Sequence, residues 1–448
     1  MKILKLLCLS LFFSSICSIL YASSLSLETD YRLRGISYNN TEINTAATTP
    51  VSYYSQKLEI ALKGNFEEKG IEIGSRIKAL GVVGSSQTLF AVPCETTDFT
   101  PFIENAYLKI NDLGDSPIDI TVGKQPLIPG NGLIFFCEGV NALKFSGDFN
   151  IPMPFSKTRL PLTAEYFTAK LSESLAERSD SDLHGIIAKL NSKNDTVWEI
   201  GYFTESDFSG TEYVQGTNTY STKAIVKNFL DFRVSKKIEN ISEYSIEFAN
   251  QTGYVKDLNG SDINFNGFGY VLSGKLINKN SRLGKVVAKA LLSYSTGDDD
   301  TLSYDDDESF SPTHTKKYDG LERYGYGTIM GATPSDAFFE LPSGYSGINT
   351  LLIGTDISPI YAWTIGIDFF LFSTSQGPKG APQASGFERF YGAEYSLGSE
   401  MDFSLKFAHS KYTDFKVIFG SYEPPAASIF WPNSKNVTTY RFEVSSRF

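Results

Sequence analysis

Seven carboxylates fall within eleven residues, in Asp298-Asp299-Asp300 and Asp305-Asp306-Asp307-Glu308. Hard oxygen donors at that density suit Ca²⁺, which makes Asp298, Asp299, Asp300, Asp305, Asp306 and Asp307 candidate ligands. Their spacing is not that of an EF-hand, and a solvated, self-repelling acidic loop accounts for the same composition. Catalytic signatures are missing. The three histidines, His184, His314 and His409, show no metal-ligand spacing. The chain has no G-x-S-x-G element, no glycine-rich phosphate loop and no Cys-His site. No enzyme activity is expected, and no cofactor beyond the candidate Ca²⁺.

Charged residues recur instead at alternate positions. Arg32, Arg34, Arg76, Lys78, Lys227, Arg233 and Arg441 each stand beside an apolar neighbour, as do Asp30, Glu59, Glu72, Asp231, Glu247, Asp368 and Glu443, and Lys124 is a further lumen candidate. Two residues apart on a strand means one shared face. On the inner face of a water-filled barrel such side chains set selectivity; the plainer role is cross-strand pairing that keeps the wall solvated. Arg32, Arg34 and Arg76 belong to the first and third strands, near enough to form a cluster. Both signs are abundant, so ion preference stays open at this stage.

These charges need strands to carry them. From Ser24 onward, segments of about ten residues alternate charged and apolar positions between turn-forming clusters, the pattern of transmembrane β-strands. Strands are expected near residues 24–38, 53–64, 69–82, 101–111, 117–124, 140–150, 159–171, 183–190, 196–205, 223–235, 241–252, 265–277, 284–296, 349–357, 362–374, 387–397, 401–412 and 437–448. That is eighteen, within a range of sixteen to twenty. Short turns (65–70, 111–116, 191–195, 398–400) take turns with long connections (83–100, 207–222, 297–347, 413–436). The layout is that of an up-and-down antiparallel barrel with periplasmic turns and extracellular loops. An even count puts both termini on the periplasmic side. On the strand near 363, Trp363, Ile365, Ile367, Phe369 and Leu371 face lipid while Thr364, Gly366 and Asp368 face inward.

The 34 Phe, 25 Tyr and 37 Gly among 448 residues suit many strands, tight turns and an interfacial aromatic belt. A net charge of −11 with no basic patch argues against nucleic-acid binding. Met1-Lys2-Ile3-Leu4-Lys5, an apolar run from Leu6 to Leu20 and Tyr21-Ala22-Ser23-Ser24 read as a signal peptide over 1–22, ahead of one barrel domain over 23–448. Cys8 and Cys17 fall in that leader. Cys94 and Cys137 remain, and in an exported chain they are candidates for one disulfide between neighbouring loops, with two free thiols as the alternative. The last strand ends on Phe448. It is similar to the C-terminal signal read by the bacterial barrel-assembly machinery, which makes that machinery and outer-membrane lipid the expected partners.

Two stretches resemble the alginate export family of eighteen-stranded outer-membrane barrels. The first is Glu104-Asn105-Ala106-Tyr107-Leu108-Lys109, then Asp119-Ile120-Thr121-Val122-Gly123-Lys124-Gln125 and Gly130-Asn131-Gly132-Leu133. The second runs from Ser295-Thr296-Gly297-Asp298 through Arg323-Tyr324-Gly325 to Gly392-Ala393-Glu394. Lys124 stands where that family often has Arg, and so lacks the planar fork that binds carboxylates bidentately. The resemblance implies a porin-like channel and a monomer. The expected function is therefore passive diffusion of small hydrophilic solutes or ions, anionic sugars among them, across the outer membrane of a Gram-negative-type bacterium. A surface adhesin acting through its long loops is the alternative, and a barrel hydrolase a third.

Overall fold

The computed structural model describes residues 24–40, 50–84, 100–152, 159–172, 180–192, 195–210, 212–215, 218–257, 262–298, 306–313, 325–337, 346–376, 395–425 and 434–448. The proposed leader, residues 1–22, lies outside them, as do Cys94, Asp299, Asp300 and Asp305. Eighteen strands form the wall. They are β1 Ser24–Tyr38, β2 Val51–Phe66, β3 Ile71–Gly84, β4 Thr100–Ile110, β5 Ile118–Leu127, β6 Cys137–Pro152, β7 Arg159–Ser172, β8 Ser181–Asn191 and β9 Thr196–Asp207. The second half is β10 Asn218–Ile238, β11 Ser242–Asp257, β12 Asp262–Ser281, β13 Gly284–Ser295, β14 Ser346–Ile360, β15 Trp363–Gln376, β16 Ser396–Ala408, β17 Thr413–Glu423 and β18 Val437–Arg447. Two short strands, Glu212–Gln215 and Asp306–Asp307, are additions to this ring.

Each wall strand pairs antiparallel with the next. The ring closes through β1 and β18, in register from Asp30 opposite Arg447 to Tyr38 opposite Thr439. Closure removes every sheet edge, which is what a strand-built structure needs in hydrocarbon, where an unpaired backbone group costs several kcal/mol. Phe448 finishes the seam: its N–H donates to Thr29 O, and Thr29 N–H donates back to Phe448 O, both at 2.9 Å. Its ring stacks on Tyr412, with centroids 5.7 Å apart.

Alternation sorts the two faces as expected. On β15, Trp363, Ile367 and Phe369 are exposed on the outer surface, while Asp368 meets Lys289 of β13 at 2.7 Å inside. On β11, Tyr244, Ile246 and Phe248 face outward and Glu247 is buried inward. A Phe369→Arg exchange puts a cation on the lipid face near mid-strand, and a loss of about 2–4 kcal/mol of folding free energy is expected. Urea titration of the protein folded into vesicles measures it; a change like that of an ordinary soluble-surface substitution, within about 0.5 kcal/mol, would contradict the outward assignment.

One pair of boundaries differs from the expectation. No turn occurs at 398–400; β16 runs unbroken from Ser396 to Ala408. Gly398 does adopt a positive φ of 106°, but next to a register shift against β15 rather than in a turn. The turn lies after Ala408, where Ser410 Oγ accepts N–H bonds from Tyr412 and Thr413 at 3.1 Å each. The stretch from Thr413, expected as loop, is β17. Residues 387–394 lie outside the described set. Cys137 likewise opens β6 rather than standing in a loop.

Candidate functional site

Two connections at the long-loop end turn into the barrel. The first, residues 128–136 between β5 and β6, buries Leu133, Ile134 and Phe135 against the inward-facing Phe167 of β7, Phe203 of β9 and Phe229 of β10. Its polar turn is fixed by wall carboxylates. Gly130 N–H donates to Glu199 Oε1 at 3.0 Å and Asn131 N–H to Glu247 Oε2 at 2.8 Å, while Asn131 Nδ2 donates to Ser245 Oγ at 3.0 Å. Gly130 has φ +58°, and a Cβ there would lie 2.4 Å from Glu247 Oε1, so only glycine fits this approach.

The second inward stretch, residues 325–337, belongs to the long connection between β13 and β14. Ile329, Met330 and Ala332 are fully buried against Ile36, Tyr38, Tyr53, Phe372, Leu397 and Tyr422. The same device recurs. Ile329 and Met330 donate their N–H groups to Glu400 Oε1 and Oε2 at 2.7 and 2.9 Å. Thr328 gives its N–H and hydroxyl to Asp402 Oδ2 at 2.9 and 2.6 Å. Tyr326 feels the charge of Glu247 on the far-side strand β11, so the two inward stretches approach each other across the lumen; burial holds its phenol well above the ordinary range.

A third stretch, residues 306–313, lies along β10 to β12. Phe310 packs edge-on against Phe229, with centroids 6.4 Å apart. Ser311 N–H donates to Gln251 Oε1 at 2.9 Å, and Lys227 Nζ donates to Ser311 O at 2.6 Å. The described parts of the longest connection are thus folded into the barrel, not displayed on its surface.

The expected lumen residues divide into groups with different surroundings. Lys227 holds the 306–313 stretch in place. Arg233 lies in register between Glu199 and Glu247, with Nη1 3.6 Å from Glu199 Oε2. Lys124 is not inside: it shares the outer face with Val122, which is 48% exposed, and donates to the carbonyl of Ile103 at 2.8 Å. Lys78 is buried amid three carboxylates, Glu138 at 2.7 Å, Glu104 at 3.0 Å and Glu59 at 3.7 Å. Those carboxylates have the spacing of a metal group, yet the ammonium of Lys78 stands within contact of all three and supplies the compensating charge. Arg76 adds a contact to Glu104 at 3.6 Å.

Of the expected cluster Arg32, Arg34 and Arg76, the first two lie together and are joined by Arg441, while Arg76 turns to Glu104. Arg34 Nε bonds Glu443 Oε2 at 2.8 Å, and the charges of Arg32 and Arg441 both act on Arg34. Arg441 is only 8% exposed, and its Nε and Nη2 find no hydrogen-bond partner among the described residues. Lys416 of β17 lies opposite Glu443; it falls in the stretch expected as loop, although the charged–apolar alternation of Asp414-Phe415-Lys416-Val417 marks a strand. Lys416, Arg441, Arg34 and Arg32 therefore lie on three neighbouring strands, a basic strip on the lumen wall, while Lys57, Arg76 and Lys78 on the next two strands are paired with Asp30, Glu59 and Glu104. Ile36 and Tyr38, next along β1 from Arg34, already belong to the core under residues 325–337. The strip starts where the inward stretch ends.

Of the acidic run, Asp298 donates its N–H to Ser346 Oγ at 2.7 Å, and Asp306 Oδ1 accepts from Asn264 Nδ2 at 3.2 Å. Asp307 accepts from the Tyr213 hydroxyl and from Ser309 N–H, and burial pushes its carboxyl above the usual range. None of the three joins a metal-like group among the described residues.

No protein-family model matches the sequence, and no curated protein is significantly similar to it. Solved structures do share its shape. OccAB1 of Acinetobacter baumannii is 8% identical, with 96% of this chain and 97% of that one aligned at a TM-score of 0.54. OccK9 (OpdG) of Pseudomonas aeruginosa is 9% identical over 96% and 99% of the two chains, TM-score 0.53. OccK2 (OpdF) of the same species, solved in complex with glucuronate, is 9% identical over 95% and 98%, TM-score 0.51. At such identities the likeness is one of fold, and it does not extend to alginate export in particular: the chain is a closed, eighteen-stranded antiparallel β-barrel.

Proposed function

We propose that this barrel is a passive channel in the outer membrane of a Gram-negative-type bacterium, passing small hydrophilic solutes and favouring those that carry a carboxylate, sugar acids among them. The observation that carries this is the basic strip beneath the inward stretch, where Arg32, Arg34, Arg441 and Lys416 gather around the one carboxylate of Glu443. Cations gathered in that number attract a carboxylate solute. In a narrowed, partly desolvated lumen its field is stronger than in bulk water. The OccK2 complex makes glucuronate the natural probe. Residues 1–22 serve export in this account, Phe448 at the seam serves recognition by the assembly machinery, and the channel works as a monomer. Residues 306–313 and 325–337 of the long connection pack inside the barrel, which favours the channel over the adhesin alternative.

Uptake into proteoliposomes tests the reading. Glucuronate is expected to enter faster than glucose, and Arg441→Gln to slow glucuronate about tenfold, the effect of one charge removed from beside the path, while leaving glucose unchanged. Equal entry of the two sugars, or an equal fall for both in the variant, would overturn it.

A further inference from the structure

We infer that Glu443 is a specificity-tuning residue, a carboxylate set among the strip's cations that keeps their attraction shallow enough for a bound anion to leave. This rests on the anion-channel reading above and deepens it. Glu443 stands directly opposite Arg34 on β1 and Lys416 on β17, and Arg441 precedes it by two residues on the same face of β18. Arg32 is the next inward residue of β1. Opposed side chains on neighbouring strands have Cβ atoms about 5 Å apart, and same-face neighbours along one strand about 7 Å apart, so four cations surround one carboxylate. Glu443 engages Arg34 at 2.8 Å, and its side chain is still 21% exposed to the lumen. The charges of Arg34, Arg32 and Arg441 all act on it. The charge of Asp402 is also felt at Arg441, while its Oδ2 accepts the N–H and hydroxyl of Thr328.

The group of four cations and Glu443 carries three net positive charges. Neutralising Glu443 makes that four. A channel conducts only when a site attracts its solute without trapping it. Glu443 thus sets residence time and throughput, and hence which anions pass and which plug the lumen.

Single-channel recording with glucuronate as the blocking probe tests this. In Glu443→Gln, blockade events are expected to last about tenfold longer, the Coulombic effect of one unit charge at 5–7 Å after screening by lumen water, with higher anion permeability relative to cations. Glu443→Asp, which keeps the charge, should return dwell times to near wild type. Lys416→Gln, which removes a cation from the same group, should shorten them and provides the test if Glu443→Gln does not fold. Wild-type blockade with unchanged dwell in Glu443→Gln, or in Lys416→Gln, overturns the role of Glu443 alone. A wild-type channel that glucuronate never blocks overturns the anion reading beneath it.

Discussion

Replacing Glu400 and Asp402 together by alanine is expected to release residues 325–337 from the lumen wall and to raise single-channel conductance about twofold or more, since the narrowest section sets the current. The wild-type pair accepts the N–H groups of Thr328, Ile329 and Met330. Without it these three donors are buried unsatisfied, at about 1–3 kcal/mol each. Three such penalties amount to several factors of ten in the docked population, since each 1.4 kcal/mol is tenfold. The apolar burial of Ile329 and Met330 opposes release but leaves those donors no partner in place. Planar-bilayer recording of folded variant and wild type reads the difference. An unchanged conductance would mean that the apolar contacts alone hold the stretch, and that the wall carboxylates are not its anchor.

Lys78→Met should give the largest loss of stability of any single exchange considered. It removes the cation from the centre of Glu59, Glu104 and Glu138 and leaves three carboxylates facing one another. Removing one partner of a buried ion pair typically costs about 3–5 kcal/mol. Arg76, which meets Glu104 at the longer distance of 3.6 Å, compensates only in part. Glu138 is the second residue of β6, at the root of the 128–136 stretch, so the damage falls where that inward turn is anchored. The temperature at which the folded, fast-migrating band is lost on electrophoresis reports the change. Adding Glu104→Gln to Lys78→Met should recover part of it, because the two residues are in contact and their effects are not additive. A Lys78→Met barrel as heat-stable as wild type would show that the cluster is solvated and contributes little.

Periodicity made the wall legible. In β15 and β11 alternate residues carry the inside–outside assignment, because a strand with one face in lipid and the other in water has no freedom to slip by one. It failed at Gly398, where a positive-φ glycine among small polar residues looks like a turn but marks a bulge. Glu400 there reads as part of the turn and Asp402 as the start of the next strand, although their partners, the N–H groups of residues 328–330, lie some seventy positions away in sequence. No local pattern announces a partner at that distance. The approach of Arg32 to Arg34 followed from spacing, whereas their meeting with Arg441 and Lys416 required closure of β1 on β18. Lys124 went the other way: its charge suggested the lumen, but its parity with Val122 places it outside. The inward folding of residues 128–136 was foreshadowed only by Leu133-Ile134-Phe135, an apolar run too long for a solvated loop.

A water-filled, anion-favouring path through the barrel shows itself in the reversal potential of the purified protein in a planar bilayer under a KCl gradient. Discrete open steps are expected, with a reversal potential displaced toward the chloride equilibrium value and a smaller displacement in Arg441→Gln. Folded, inserted protein that shows no steps, or one that reverses toward the potassium value, would contradict an anion-favouring path.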